Sequence, residues 1–512
     1  MANRHTPFYY LYISKVNLMK KVLWLIFILL YYPATAQYDF TEQCSRAHVL
    51  ITSLKFEEAN TVLDSVRAED PVNLIPVMLE NYKDFLIVIV GEDEHDFDSL
   101  KRLVPERLKA LKKGERDAPW YRSLIAQTYL QWAFARIKFG EYFTAGREIR
   151  KAFLLLEENQ EIHPGFLPDR VGLGIMHALI GTIPDNYRWI ASLFSMEGSV
   201  ELGRSELIDV LLKADEEGFP HLEGEALFFL TFLELNLQPD KMKARELLPY
   251  YDGQANDNLM LLFSKAQILS RTALNDEAIE LLLNRPQGEE YFPFYYLDFL
   301  LGLAKLHRLD DDADVYLLRF TTNFKGRAYI KEAYQKLAWH SLLTARPEMY
   351  THYMNKAIEY GNAFTDADRL AMAEAESGVV PNVCLLKARL LYDGGYYDKA
   401  DSVLNQLECD LLSERDSIEF PYRLGRIAHA QKRYNEALKW YDETIISGHD
   451  AYYYFAANAA LQAGNISEIQ KRYELASEYY RKCLDMPNRE YRRSMQQKAK
   501  AGLNRIKDKQ KD

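Results

Sequence analysis

Apolar residues recur along this chain at three- and four-residue steps, the spacing that lines one face of an α-helix, and they seldom alternate as they would in a strand. Gly 24 and Pro 18 are few for 512 residues, so helical stretches run on between short turns. A longer period lies over the short one: a small residue, then twelve positions on an alanine introduced by an aromatic and acidic turn. Its clearest copy is Tyr422-Arg423-Leu424-Gly425-Arg426-Ile427-Ala428 followed by Arg433-Tyr434-Asn435-Glu436-Ala437-Leu438, with Gly425 and Ala437 as the pair. The pair returns as Ala47 with Ala59, Ala133 with Ala145, Ala266 with Ala278, and Ala388 with Ala400, where Asp393-Gly394-Gly395-Tyr396-Tyr397 supplies the turn. The first copy closes on Asp70-Pro71, where proline stops a helix. Weaker copies place Phe232 with Ala244, Leu301 with Ala313 and Ala338 with Tyr350, and a last one sets Ala476 after an extended turn. The second-helix positions Ala244, Ala278, Ala313 and Tyr350, and then Ala400, Ala437 and Ala476, fall 34 to 39 residues apart.

This pattern resembles the tetratricopeptide repeat, a helix, a turn and a second helix in about 34 residues. The resemblance covers most of the chain beyond residue 36 and is strongest in its last third. It implies an all-α fold, a right-handed solenoid of helical pairs in which small side chains let two helices cross closely and a polar helix ends the stack. The chain divides accordingly into an N-terminal extension with a leader (1–36), N-terminal repeats (37–159), a divergent helical segment (160–225), central repeats (226–360), an insertion rich in Asp, Ala and Glu (361–380), C-terminal repeats (381–488), and a capping helix with a basic tail (489–512). Residues 76–115 read as a divergent helical pair around Asn81 to Val90. The interruption at 160–225 holds Val171-Gly172-Leu173-Gly174, Ile183-Pro184 and Ser199-Val200-Glu201-Leu202-Gly203. It resembles the inclusion-body-clearance group of eukaryotic tetratricopeptide proteins, whose Gly-x-x-Glu-x-Gly-like step is matched by Gly198, Glu201 and Gly203. That resemblance implies a non-enzymatic adaptor. The chain departs from the group in carrying an export signal, so only architecture and absence of catalysis carry over.

Charge and targeting sharpen this picture. Lys+Arg 63 against Asp+Glu 74 leaves −11, which disfavours general attraction to nucleic acid or to anionic membranes. Met19-Lys20-Lys21, the apolar run Val22 to Tyr32, and Ala34-Thr35-Ala36 before Gln37 are the three parts of a secretory leader, with cleavage expected after Ala36. The apolar run is shorter than the roughly 20 residues a spanning helix needs. Export through an inner membrane into a Gram-negative-type envelope follows, to the periplasm or beyond, with no transmembrane span in the mature chain. Loss of the leader removes four basic residues and no acid, taking the balance to −15, whereas Arg489 to Asp512 carries +6. Cys44, Cys384, Cys409 and Cys483 form no framework and leave room for at most a single bridge; each reads rather as a small buried hydrophobe.

Candidate chemistry is sparse. Eleven histidines show no metal-ligand spacing, no phosphate-binding loop or nucleophile elbow occurs, and neither a cofactor nor a metal is expected. The acidic runs Glu92 to Asp98 and Asp310 to Asp314 lack the spaced ligands of a calcium loop and read as solvated turns. What a repeat stack offers instead is a concave groove lined by the first helix of each pair. Counting from each small residue, Gln267 and Ser270 with Arg271, Gly302 and Lys305, Trp339 and Leu342, Arg389 and Tyr392, and Arg426 and His429 should face it. Arg, Tyr and Trp dominate binding hot spots, and the planar forks of Arg389 and Arg426 suit carboxylates. The expected function is a scaffold or adaptor for a protein or peptide partner. Two alternatives are a hydrolase or glycan-acting enzyme with its site in 160–225, and a peripheral membrane organiser using the basic C-terminal helix and Phe228, Phe229 and Phe232.

Overall fold

A computed structural model describes residues 37–182, 196–407 and 412–509. The leader with Ala34 and Ala36, the Ile183-Pro184 step and Cys409 lie outside the described residues. Helices dominate what is described. The first pair is α1 (Glu42–Thr52) with α2 (Phe56–Glu69); α3 (Ile75–Gly91), α4 (Glu94–Leu100) and α5 (Val104–Leu111) follow, then the pair α6 (Pro119–Lys138) with α7 (Tyr142–Ile162). The divergent segment supplies α8 (Asp169–Gly181) and α9 (Val200–Lys213), followed by α10 (Glu223–Phe232) and the short α11 (Lys241–Glu246). Three pairs come next: α12 (Leu259–Arg271) with α13 (Asn275–Leu283), α14 (Tyr296–Arg308) with α15 (Ala313–Asn323), and α16 (Ile330–Leu343) with α17 (Pro347–Glu359). The insertion forms α18 (Asp366–Ser377). Beyond it are α19 (Val383–Asp393) with α20 (Tyr397–Leu404), α21 (Glu414–Ala430) with α22 (Tyr434–Ser447), α23 (Phe455–Ile469) with α24 (Tyr473–Asp485), and the final α25 (Arg492–Lys509). Among the described residues the only β pairing is an isolated bridge between Gln37 and Asn73. Local chemistry starts many of these helices: Thr41, Asp93, Ser199, Asp240, Asn258, Thr365, Asn382 and Ser413 each cap a first turn through a side-chain oxygen.

One turn recurs in eight pairs. Leu54, Gly140, Ala273, Leu309, Ala345, Gly395, Lys432 and Lys471 each stand at positive φ between first and second helix. The N–H of the next residue bonds the carbonyl five positions back, as in Arg433 N to Ala428 O and Lys55 N to Leu50 O, at 2.8–2.9 Å throughout. This is the left-handed cap that ends a helix and satisfies its last carbonyls. Only two of the eight are glycine, so the stack holds six side chains in a conformation that costs roughly 1 kcal/mol each.

The turn also sets the register of each crossing. In the pairs at Ala47, Ala133, Ala266, Ala338, Ala388 and Gly425 the left-handed residue stands seven positions after the small one, and the same interval fixes two copies that the sequence pattern placed otherwise. Gly464, twelve before Ala476, is the crossing residue of the last pair; a β-carbon there would come within 2.6 Å of Tyr480, as one at Gly425 would come within 2.7 Å of Tyr441. In the α14–α15 pair the crossing glycine is Gly302, not Leu301, since a β-carbon at Gly302 would meet Leu317 at 2.7 Å. The Phe232 copy is not a close crossing at all: Phe232 is exposed, and a π-helical turn, Leu233–Leu237, replaces the shared cap.

Glycines explain the divergent segment as packing. A β-carbon on Gly203 would sit 2.2 Å from the Gly174 carbonyl oxygen, and one on Gly198 2.7 Å from the His177 backbone. The Gly198–Glu201–Gly203 step therefore lets α8 and α9 touch backbone to backbone, while Glu201 remains exposed and accepts from Gln238 at 3.1 Å.

A simple solenoid joins each repeat only to its neighbours; here the N-terminal helices also fold back on the central pairs. One hydrophobic core runs from Cys44 and Ile51 through Leu124 to Leu262, Leu297 and Leu301. Phe292 N donates to Leu54 O at 2.8 Å, and Lys55 meets Asp257 at 2.5 Å. Glu92, expected in a solvated turn, is instead buried at the centre of this contact. Its carboxylate accepts from the Tyr296 hydroxyl, from Arg327 N at 2.9 Å and Ala328 N at 3.1 Å, and faces Lys138 at 2.5 Å. A negative charge can be enclosed there because four donors converge on it. The second acidic run is likewise engaged: Asp310 and Asp312 hold Lys305, and Asp314 holds Arg346. Residues 76–115 form three helices rather than a pair, since Asp93 caps α4 where α3 has just ended. Cys44 and Cys483 are buried free thiols, but Cys384 is only partly covered.

Candidate functional site

The first helices of successive pairs, α16, α19 and α21, present one face to a common hollow, and the insertion closes part of it. A cavity of about 490 Å³ lies between α18 and these helices, with Glu490 and Tyr491 completing its rim. The insertion is held in place by carboxylates. Asp368, fully buried, accepts from Tyr329 N at 2.8 Å and Glu332 N at 3.2 Å, so it caps the start of α16 from outside. Glu374 accepts from Trp339 Nε1 at 2.7 Å and Gln335 Nε2 at 2.6 Å. The apolar side of the cavity comes from Leu370, Val379, Leu385 and Leu386.

Charges line the rest. Lys336, buried, lies 3.9 Å from the Trp339 ring centre, donates to Gln335 Oε1 at 2.8 Å and faces Glu332 at 3.4 Å. Burial lowers its pKa, and Glu332 only partly restores it. Burial also acts against the Glu419 carboxylate, but Arg423 at 2.6 Å and Arg415 at 3.0 Å more than compensate, and its pKa falls below the usual range. On the opposite rim, burial raises the Glu490 carboxyl. Arg389 stacks 4.7 Å over the Trp339 ring and has Asp393 no nearer than 3.9 Å. Its guanidinium makes no hydrogen bond among the described residues, so its donors are available to a guest.

The groove residues expected from the repeat spacing divide into two groups. Trp339 and Arg389 line the cavity together. Tyr392 lies one turn beyond Arg389 on α19 and Arg426 one repeat further on, and the two bind each other: Arg426 donates to the Tyr392 hydroxyl at 3.0 Å and to Tyr422 at 2.8 Å. His429 meets the Tyr441 hydroxyl at 3.3 Å, and burial, with Arg426 nearby, lowers its pKa to about 4. Lys305 is buried on Asp312 at 2.8 Å, and Arg271 donates to Leu235 O at 2.6 Å and Asn236 at 2.8 Å, bracing the π-helical turn. Gln267 is half-buried on α12, the Ser270 hydroxyl is buried, Leu342 joins an apolar cluster, and Gly302 serves the helix crossing. Arg415 and Glu419 from the start of α21, Tyr453 and Tyr454 from the turn before α23, and Glu490 and Tyr491 from the segment after α24 also line the cavity, and all lie outside the positions counted from the crossing residues.

Two other expectations meet the geometry. Phe228 and Phe229 are half-buried in edge-to-face contact 5.8 Å apart, leaving Phe232 exposed. Asp169, buried in the divergent segment, has its pKa raised to about 6 by burial, offset in part by hydrogen bonds from Asn159, Ser123 and Gln160. Among the described residues no cluster of His, Cys, Asp and Glu could hold a metal, and no helix is long and apolar enough to cross a membrane.

Residues 457–489, which take in most of α23 and all of α24, match the family model described as tetratricopeptide repeat. That segment is a tetratricopeptide repeat, and with the same capped turn in seven further pairs the chain is an all-α stack of tetratricopeptide-like helical pairs. No curated protein matches it.

Proposed function

We propose that this chain is a non-catalytic adaptor, exported by its N-terminal leader to the envelope, that binds a segment of a protein partner on its concave face. The observation that carries this reading is the cavity between the inserted α18 and the first helices of the C-terminal pairs. It combines an apolar wall, buried and already satisfied carboxylates, and one guanidinium, Arg389, held on a tryptophan face with free donors. Rigid helices set these groups before binding, which reduces the ordering cost of taking up a guest. The repeat family supports a protein-interaction role.

The test is capture. The full chain is crosslinked in envelope extract beside an Arg389→Ala, Arg415→Ala double variant, whose Glu419 keeps Arg423 as its partner. A protein caught by the wild type and lost by the variant supports the adaptor. Identical catches, or hydrolytic turnover that survives in the variant, would overturn it.

A further inference from the structure

Beside the cavity, along the same concave face, cations gather in a chain that is acidic overall. Arg245, on α11, donates to Thr272 O, and Arg271 is the residue just before Thr272. The next residue, Ala273, lies directly against Gly395: a β-carbon there would stand 2.5 Å from that of Ala273. Tyr392 and Tyr397 flank this contact with ring centres 5.4 Å apart, and Arg426 lies 4.8 Å over the Tyr392 ring. Two turns from pairs far apart in sequence thus bring Arg245 and Arg271 toward Arg426. Lys241 stands among them, and its ammonium makes no hydrogen bond or ion pair among the described residues.

The bonds these cations do make are with neutral groups. Arg271 rests on a backbone carbonyl and an asparagine, Arg245 on a carbonyl, Arg426 on two tyrosine hydroxyls. Among the described residues none of the four, Lys241, Arg245, Arg271 and Arg426, has a carboxylate within ion-pair distance. Desolvation by the surrounding chain, then Arg426 and Arg271, hold the Lys241 ammonium below its usual pKa, with Asp393 opposing them. Elsewhere the protein pairs its cations freely, as at Arg204 with Glu234 and Arg285 with Asp298. Four positive charges without an ion-pair partner on one patch raise a local field that a counter-charge of the right shape would relieve.

We infer that the surface patch formed by Lys241, Arg245, Arg271 and Arg426 is the docking site for a carboxylate-rich peptide segment of a protein partner. This rests on the reading of the concave face as a partner-binding surface and names the chemistry that surface takes. Arginine forks and a lysine bind carboxylates with charge-assisted hydrogen bonds. The chain as a whole, at −11, repels a polyacid, so such a partner is drawn only to local clusters of cations such as this one.

The probe is a short fluorescein-labelled peptide of alternating Glu and Ser, followed by fluorescence anisotropy with the full chain at low and at physiological salt. Binding that weakens with salt is expected. A Lys241→Glu, Arg245→Glu double variant, at two exposed side chains, should weaken it by about tenfold or more with unchanged helical content. Lys241→Met, which removes a side chain that bonds nothing, should shift affinity in the same direction and guards against a misfolded double variant. Absence of binding by the wild type, equal binding by both variants, or binding of a sulfated oligosaccharide in place of the peptide would overturn the assignment. A partner captured equally by wild type and double variant would remove the charge assignment while leaving the adaptor standing.

Discussion

His221 gives the most direct test of how this fold is held together. It lies in a short helical turn at Pro220–Leu222, against α1, and its ring stacks 4.2 Å from Phe40 and meets His48 edge-on at 4.9 Å. One nitrogen meets the Ser45 hydroxyl at 3.1 Å; the other, buried, has no partner. Around the pair stand Glu225, 3.6 Å from His48, and Tyr82, which donates to Glu225 at 3.1 Å. A proton arriving at His221 would find no acceptor. Burial first, and then His48, lower its pKa from 6.5 to about 2. The folded state therefore refuses a proton that the unfolded chain accepts below pH 6.5. Stability is full above that value and falls by about 1.4 kcal/mol per pH unit below it, so the step from pH 6.5 to pH 5.0 costs about 2 kcal/mol through this one residue. His307 and His429, both lowered to about 4 by burial, act in the same direction. Urea unfolding followed by circular dichroism at pH 7.5, 6.5 and 5.0, on wild type and His221→Phe, separates the contributions. The variant keeps the stack on Phe40, loses the Ser45 bond at all pH values, and should show a decline shallower by about 2 kcal/mol over that interval. Parallel declines in the two proteins would refute the reasoning.

Other substitutions test separate parts of the argument. Glu92→Gln leaves Lys138 facing a neutral amide and disrupts the junction with Tyr296 and the 327–328 backbone, so a loss of about 3–5 kcal/mol is expected by urea titration; a loss under about 1 kcal/mol would mean that the carboxylate is not enclosed. Gly203→Ala places a methyl 2.2 Å from the Gly174 oxygen, and α8 and α9 must part, costing about 1–3 kcal/mol and lowering the melting temperature. Lys432→Gly relieves a left-handed residue that two other repeats already fill with glycine, and should stabilise by roughly 1 kcal/mol despite removing an entire side chain; a destabilised variant would argue against the shared cap.

The repeat is legible in the sequence because it is a local property. A small residue twelve positions before an alanine is enough to place two helices in contact, and the pairs at Ala47, Ala133, Ala266, Ala388 and Gly425, with the weaker one at Ala338, lie where that spacing puts them. Trp339 and Arg389 follow from the same counting, since a helix face is fixed once the crossing residue is known. The pattern misleads where it lacks a small side chain to anchor it. Leu301 stands in for Gly302, and Phe232 mimics a crossing although a π-helical turn follows it.

Other features exist only once the chain is folded. Nothing at Glu92 marks it as different from the exposed acids after it, yet its donors come from Tyr296, Arg327 and Ala328, more than 200 residues away. No sequence motif sets Lys241 and Arg245 apart; their setting depends on the turn at Ala273 meeting the turn at Gly395. The cavity depends on an insertion with no repeat period and on a segment beyond the last pair. Helices, their pairing and most of their register are thus written into the residues themselves, because side-chain period and backbone caps act within one repeat. Which charges are buried, which are left uncompensated and where the concave face is walled in come only from the assembled stack, because burial and electrostatics sum over every element that packs nearby, whatever its distance along the chain.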